Sequence, residues 1–365
     1  MGARRGRMPA SGVSGAGAVS GWRDLTAEWL NAALAPRLDG SVVTSLQAVP
    51  IGTGQVSDSV RLTLSYSRAA GLPATMIAKV PSADPASRMA ARATRTYEIE
   101  ARFYAEVAPN LDASIPGCYF GAYAADTGDY VVLLEDLAPA EPGDQLTGIG
   151  AADAQAAVSE LAILHATCWG SPALAALGWL NRHDPARTAS TAAMVTALYG
   201  GFRQRYADRL APETLGVMET FVPRLAAYLA DRGPASTLVH GDFRADNLLF
   251  GRGRPAIVDW QSCQLGLGTA DLSYFLGSSL PVSQRREHEG SLVGHYHSVL
   301  TVHGAELDWA RCWAEYRKFA FNGVLAAIGA AMIVKRTDRG DQMFCAMADR
   351  HARHALDLDA FDLLP

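Results

Sequence analysis

The stretch His240-Gly241-Asp242-Phe243-Arg244-Ala245-Asp246-Asn247 runs into Leu248-Leu249-Phe250 and is followed by Ile257-Val258-Asp259-Trp260-Gln261. It is the densest cluster of polar side chains in a chain that is 49% hydrophobic. The apolar segments on either side read as short strands, so the loop places acceptor oxygens at strand ends, where they can meet a ligand or a cation. Taken one residue at a time, a hairpin whose Asp and Asn only cap turns would look the same. The spacing tells more: Asn247 follows Asp242 by five positions, and Asp259 closes the next apolar strand.

Upstream, residues 42–51, 59–66, 74–80, 117–123 and 130–134 read as strands. One helix over 88–107 interrupts them, with Met89, Ala93, Phe103 and Val107 recurring on a face that also holds Thr96 and Glu100. Glu100 therefore faces inward, and Glu98, about 200° away around the helix, cannot face the same strand. After Leu137 a connector carries Pro139, Pro142, Gly143, Gly148 and Gly150. Helical patterns then run over 151–169, 191–209, 212–229, 269–280, 282–303, 308–334 and 338–356, with a strand-rich island at 237–239, 247–250 and 256–258. The expected class is α+β. Residues 1–21, rich in Gly, Ala and Ser and carrying Arg4, Arg5 and Arg7, lack apolar periodicity and read as a disordered tail.

Composition excludes several functions. Net charge is −5, with 12 basic against 13 acidic residues through Leu137 and 20 against 24 beyond it, so neither part has the basic footprint of a nucleic-acid partner. No run reaches about 18 consecutive apolar residues, and the Arg-bearing start lacks the apolar core of a signal peptide. Cys118, Cys168, Cys263, Cys312 and Cys345 are scattered with no CxxC pair, which argues against a disulfide framework or a zinc site. The expectation is a cytoplasmic protein with neither a nucleic-acid nor a membrane partner. Only three of the 32 basic residues are lysine (Lys79, Lys318 and Lys335), so a lysine inside the third strand, Thr75-Met76-Ile77-Ala78-Lys79-Val80, needs a reason.

The Asp242–Asn247 offset followed by Asp259 resembles the catalytic segment of kinases, in which His-Arg-Asp precedes an Asn at the same offset and Asp-Phe-Gly supplies a second metal carboxylate. In the forms His240-Gly241-Asp242 and Asp259-Trp260-Gln261 it is similar to the aminoglycoside phosphotransferase-like kinases, including choline/ethanolamine and ecdysteroid kinase-like members, rather than to protein kinases. The resemblance covers most of the chain after the tail. It implies a bilobal protein-kinase-like fold, with a small antiparallel β lobe bearing one helix and binding ATP (22–137), and a large, mainly α-helical C-terminal lobe for catalysis and acceptor binding (138–365). Asp242 would orient the acceptor hydroxyl and take its proton. Asn247 and Asp259 would hold Mg²⁺, which prefers hard oxygen ligands. Lys79 would bind the α/β-phosphates and pair with Glu100, whose string Glu100-Ala101-Arg102-Phe103-Tyr104 looks like the family's helix.

Four further segments fit the resemblance less specifically. Leu133-Leu134-Glu135-Asp136-Leu137 resembles the interlobe hinge, which makes Glu135 and Leu137 candidates for main-chain contacts to adenine; a strand ending in two acidic turn residues fits the same side chains. Ile51-Gly52-Thr53-Gly54-Gln55-Val56-Ser57 lacks a full GxGxxG, yet Gly52, Gly54 and Ser57 could turn backbone N–H groups toward phosphate. An ordinary hairpin turn is the alternative. The segment around His165 resembles the helix behind the catalytic loop, with His165 itself read as a packed core residue. Asp271 is expected to bond the backbone of that loop.

Only twelve positions separate Asp259 from Asp271, too few for the phosphorylatable activation segment of protein kinases. A small-molecule acceptor is therefore expected, and the leading reading is an ATP- and Mg²⁺-dependent kinase acting on a hydroxyl group. Phosphorylation of aminoglycosides or other antibiotics ranks second, since polycations would favour a more acidic lobe. A nucleotide-binding pseudokinase with a regulatory role is the alternative of another class. The joint presence of Lys79, Asp242, Asn247 and Asp259 speaks against it.

Overall fold

The computed structural model describes residues 16–52, 56–68, 71–181 and 184–365. The chain divides into two compact units. One runs through Asn110 and adds Ile115–Ala138 and Asp259–Ser262; the other comprises Leu111–Ser114, Pro139–Val258 and Cys263–Pro365.

The first unit is built on a five-stranded antiparallel sheet of β1 (Val43–Ile51), β2 (Ser57–Tyr66), β3 (Thr75–Pro81), β4 (Cys118–Tyr123) and β5 (Tyr130–Glu135), in the order β1-β2-β3-β5-β4. Alternation decides which face is buried: Val60, Leu62 and Leu64 of β2 point into the core with Met76, Ala78, Val131 and Leu133. A short helix, α1 (Ala27–Leu34), completes this core with Leu30 and Leu34. Thr26 caps it by accepting from the Trp29 N–H at 3.1 Å, and Asn31 ties it to β1 by accepting from Val43 N at 2.7 Å and donating to Val43 O at 2.9 Å. At eight residues α1 is too short to give a periodic pattern, and the sequence reading misses it. Residues 16–21 belong with this unit rather than with a tail through residue 21: Val19 is buried, and its carbonyl accepts from Tyr130 N at 3.1 Å. Residues 1–15 of that tail lie outside the described residues.

The helix expected over 88–107 is two helices and a π turn: α2 (Pro85–Thr94), α3 (Thr96–Arg102) and Phe103–Val107. The break is at Arg95, a non-glycine residue at φ 62°. Thr94 on its N-terminal side bonds its hydroxyl back to Ala90 O at 2.9 Å and to the Thr96 hydroxyl at 2.7 Å, the side-chain competition with the backbone that ends helices.

The second unit is mainly helical. Its helices are α4 (Ala151–Cys168), α5 (Pro172–Ala175), α6 (Pro185–Tyr206), α7 (Pro212–Phe221), α8 (Leu225–Ala230), α9 (Gly268–Ser279), α10 (Val282–Val302), α11 (Trp309–Lys318), α12 (Asn322–Ile333) and α13 (Asp338–Asp357). Two expected single helices are split. Pro223 puts a 3₁₀ turn between α7 and α8, and Phe319–Phe321 does so between α11 and α12. Short strands form two small sheets, β6 (Glu141–Pro142) with β8 (Leu248–Phe250) and β9 (Ala256–Ile257), and β7 (Thr237–Val239) with β10 (Gln264–Gly266). The loop between β7 and β8 carries Asp242 and Asn247, and α9, buried on nearly every face, runs behind it. Among the described residues no helix is long and apolar enough to cross a membrane.

Candidate active site

Within the sheet unit, Lys79 on β3 is the focus. Its ammonium donates to Glu100 Oε1 at 2.5 Å and to Asp259 Oδ1 at 2.9 Å. Glu100 is 1% exposed, and its other oxygen accepts from the Tyr130 hydroxyl at 2.5 Å. Burial works against a charge on Lys79, but Asp259 and Glu100 outweigh it and raise its pKa above the ordinary lysine value, so the ammonium form is held. The break at Arg95 fixes which glutamate faces β3. Glu98 turns outward into a bidentate pair with Arg95 at 2.7 and 2.9 Å, while Glu100 lies inside. Asp259 has φ 69°, a left-handed conformation uncommon for a residue with a side chain and concentrated at functional sites. It is seated by its neighbour, because the Trp260 ring is buried and stacks on Phe103 with centroids 3.9 Å apart.

Within the helical unit, Asp271 of α9 organises the loop after β7. Its Oδ2 accepts from His240 N at 2.6 Å and its Oδ1 from Gly241 N at 3.0 Å. Gly241 at φ 82° makes the sharp turn that glycine takes without strain. His240 stitches the loop further: its Nδ1 accepts from Asp242 N at 3.2 Å and its Nε2 donates to Val258 O at 3.0 Å. Behind it His165 is fully buried, bonded through Nδ1 to the Tyr296 hydroxyl at 2.8 Å, with Nε2 3.5 Å from Asp271. Gly268 lets these groups approach, since a methyl there would lie 2.5 Å from the Tyr296 hydroxyl and 2.6 Å from His165 Nδ1.

Asp242 is held on both oxygens. Asn247 Nδ2 donates to Asp242 Oδ2 at 2.9 Å and to Asp242 O at 2.8 Å, Arg244 Nε donates to Oδ2 at 3.2 Å, and the Tyr274 hydroxyl donates to Oδ1 at 3.1 Å. Arg244 also bonds Gln145 Oε1 at 2.7 Å and Asp246 Oδ2. Asp246 has a further task, accepting from Gln145 N at 2.9 Å. Sequence reasoning missed Arg244 and Tyr274. Arg244 sits inside the motif and could have been found as the cation nearest Asp242, whereas nothing near Tyr274 in sequence marks it.

The remaining predicted residues lie in the sheet unit. Gly52 is in a bend at φ 72°, where the backbone rather than space requires glycine, since among the described residues no heavy atom stands within 4 Å of where a Cβ would be. Gly54 lies outside the described residues. Ser57 is buried at the start of β2, opposite Pro81. Glu135 ends β5, donates its N–H to Gly117 O at 2.7 Å and accepts from Gly117 N at 3.2 Å, so these groups are engaged within the sheet. Leu137 follows, half-buried, just after Asp136, which pairs bidentately with Arg61 at 2.7 and 3.1 Å.

Among the described residues no group of three or more His, Cys, Asp or Glu could hold a metal ion. In the helical unit, Asn247 uses its amide nitrogen on Asp242, which leaves its carbonyl oxygen as a hard donor; in the sheet unit, the Asp259 side chain is 28% exposed. Magnesium is commonly bound through one or two such oxygens together with substrate phosphates.

Comparison with known proteins bears on the fold and the family. Over 82 residues the chain is 40% identical to mouse acyl-CoA dehydrogenase family member 10; the match covers 20% of this chain and only 8% of that much longer protein. The fold is similar to that of a candidate aminoglycoside phosphotransferase from Ralstonia eutropha JMP134, at 17% identity and a TM-score of 0.53, over 90% of this chain and 98% of that one. It is also similar to choline kinase from Cryptosporidium parvum, at 9% identity and a TM-score of 0.51, over 86% and 89% of the two chains. Both likenesses are of fold, an antiparallel sheet and a mainly helical region in an α+β class. The ecdysteroid kinase-like family matches residues 52–309, more than two thirds of the sequence, and the chain belongs to that family.

Proposed function

We propose that this protein is a small-molecule kinase that transfers the γ-phosphoryl group of ATP, with Mg²⁺, to a hydroxyl of its acceptor. The observation that carries the reading is the buried strand lysine paired with a helix glutamate, Lys79 with Glu100, in a chain that otherwise uses arginine. Lys79 binds the α/β-phosphates as a compact point charge, and Glu100 keeps it extended from β3. Asp242 accepts a hydrogen bond from the acceptor hydroxyl and takes its proton as the new O–P bond forms and the bond to the β-phosphate oxygen breaks. Asp271 and His240 hold the loop so that this carboxylate is already placed when substrate arrives. Asn247 and Asp259 would hold Mg²⁺, which would supply neutralisation of charge on the phosphate oxygens. Gly52, Gly54 and Ser57 contribute the phosphate turn, and the segment of Glu135 and Leu137 meets adenine.

The test is a screen of alcohols, amino alcohols, sterols, sugars and antibiotics for acceptor-dependent ADP release from Mg-ATP. The reading expects release with one chemical class, abolished in Asp242→Asn. A protein that binds Mg-ATP yet releases ADP with no acceptor would turn the reading to a nucleotide-binding regulator.

A further inference from the structure

Tyr274 lies on α9 three residues after Asp271, so the two side chains leave the helix on the same face. Asp271 takes the main chain of the loop, and Tyr274 reaches the side chain of Asp242. Burial, and then the neighbouring Asp242 charge, push the phenol well above its ordinary range, so it remains a donor. Its ring is fixed as well. It stacks on His351 at 5.5 Å with 25° between the planes, and His351 is itself wedged where methyl groups at Gly277 or Gly323 would come within 2.4 and 1.9 Å of its ring.

The arrangement of donors around Asp242 is uneven. Asn247 donates to Oδ2, Arg244 Nε sits 3.2 Å from both oxygens and donates to Oδ2, and Tyr274 donates to Oδ1. The terminal torsion of an aspartate is soft and broad, so a bond to Oδ2 and one N–H shared between the oxygens leave the carboxylate room to turn. A donor on the second oxygen fixes its plane. About four lone-pair directions serve the two oxygens, so a position on Oδ1 remains for a hydroxyl beside the Tyr274 bond.

We propose that Tyr274 is a positioning residue for Asp242, its hydroxyl fixing the Oδ1 edge of the carboxylate that receives the acceptor's proton. This assignment rests on the kinase reading given above.

Tyr274→Phe removes the hydroxyl and keeps the ring, and it can be measured in two ways on the full chain. With Mg-ATP and the acceptor giving the greatest ADP release in the screen, kcat should fall about tenfold, while KM for ATP and for acceptor stays within about twofold. An unchanged kcat, or a loss confined to KM, overturns the assignment. The second measurement needs no turnover: a urea-unfolding cycle of Tyr274→Phe with Asp242→Ala should be non-additive, because each change deletes the same bond. Additive effects overturn the assignment. A wild-type protein without acceptor-dependent turnover would sink the kinase reading, and this cycle would still decide whether Tyr274 anchors Asp242.

Discussion

Glu100 and Lys79 meet at 2.5 Å with side-chain exposures of 1% and 10%, and the pair is part of a chain of bonds that runs from buried Tyr130 through Glu100 and Lys79 to the half-buried Asp259. Removing Glu100 leaves Lys79 with Asp259 and takes the acceptor from the buried Tyr130 hydroxyl, at a cost of about 1–3 kcal/mol for each buried group left unmatched. Glu100→Ala should therefore lower the unfolding free energy by several kcal/mol and weaken ATP use. Glu98→Ala removes only the partly exposed pairs with Arg95 and Arg102 and should cost no more than about 1 kcal/mol. Urea unfolding with ATP KM measured on the same samples checks both, and similar effects at the two glutamates would contradict the assignment.

Asp271 makes a second, independent demand. Both of its oxygens accept main-chain N–H groups, from His240 and Gly241. Asp271→Asn sets an amide donor against one of them, leaving a buried N–H unmatched at a cost of about 1–3 kcal/mol. Turnover should drop along with stability, because the loop that carries Asp242 loses its clamp. An Asn variant with full stability and full activity would show that the loop is held by other contacts.

These relationships were legible to different degrees. Strand alternation at Val60, Leu62 and Leu64 exposes the sheet directly in the sequence, and helical rotation alone separates Glu100 from Glu98. The offsets among Asp242, Asn247 and Asp259 are likewise visible before any coordinates. The left-handed turn at Arg95 could not be read, because no glycine or asparagine marks it. Tyr274 reaches Asp242 from 32 residues away, and that contact depends on how α9 is set behind the loop, a matter of tertiary packing with no local pattern. Gly323 is equally silent: it is small because His351, 28 positions later, occupies the space.

The same histidine gives a pH prediction. Burial, and then the adjacent His354, hold the His351 imidazole at about 3, well below its ordinary 6.5; Nδ1 faces Ala320 O at 3.1 Å and Nε2 has no hydrogen-bond partner among the described residues. A depressed folded value means that the stability contributed by the neutral ring is complete above about pH 6.5 and is lost as pH falls toward 3. Across that window this one group should add a slope of up to about 1.4 kcal/mol per pH unit to the unfolding free energy. His351→Asn should make the slope shallower whatever its effect on absolute stability. Urea unfolding at pH 7, 6, 5 and 4 measures it, and parallel curves for wild type and variant would place the acid sensitivity elsewhere.

The most direct measurement of the central claim compares nucleotide binding with phosphoryl transfer in Asp242→Asn. The substitution keeps the shape of the side chain while removing the group that takes the proton, an effect worth about 10²–10⁴ in rate. Calorimetry with Mg-ATP should give nearly wild-type affinity, and single-turnover transfer to the acceptor should fall by at least ~10²-fold. Full transfer activity in Asp242→Asn, or a loss of transfer that merely follows a loss of Mg-ATP binding, would contradict the assignment of Asp242 as the residue that activates the acceptor.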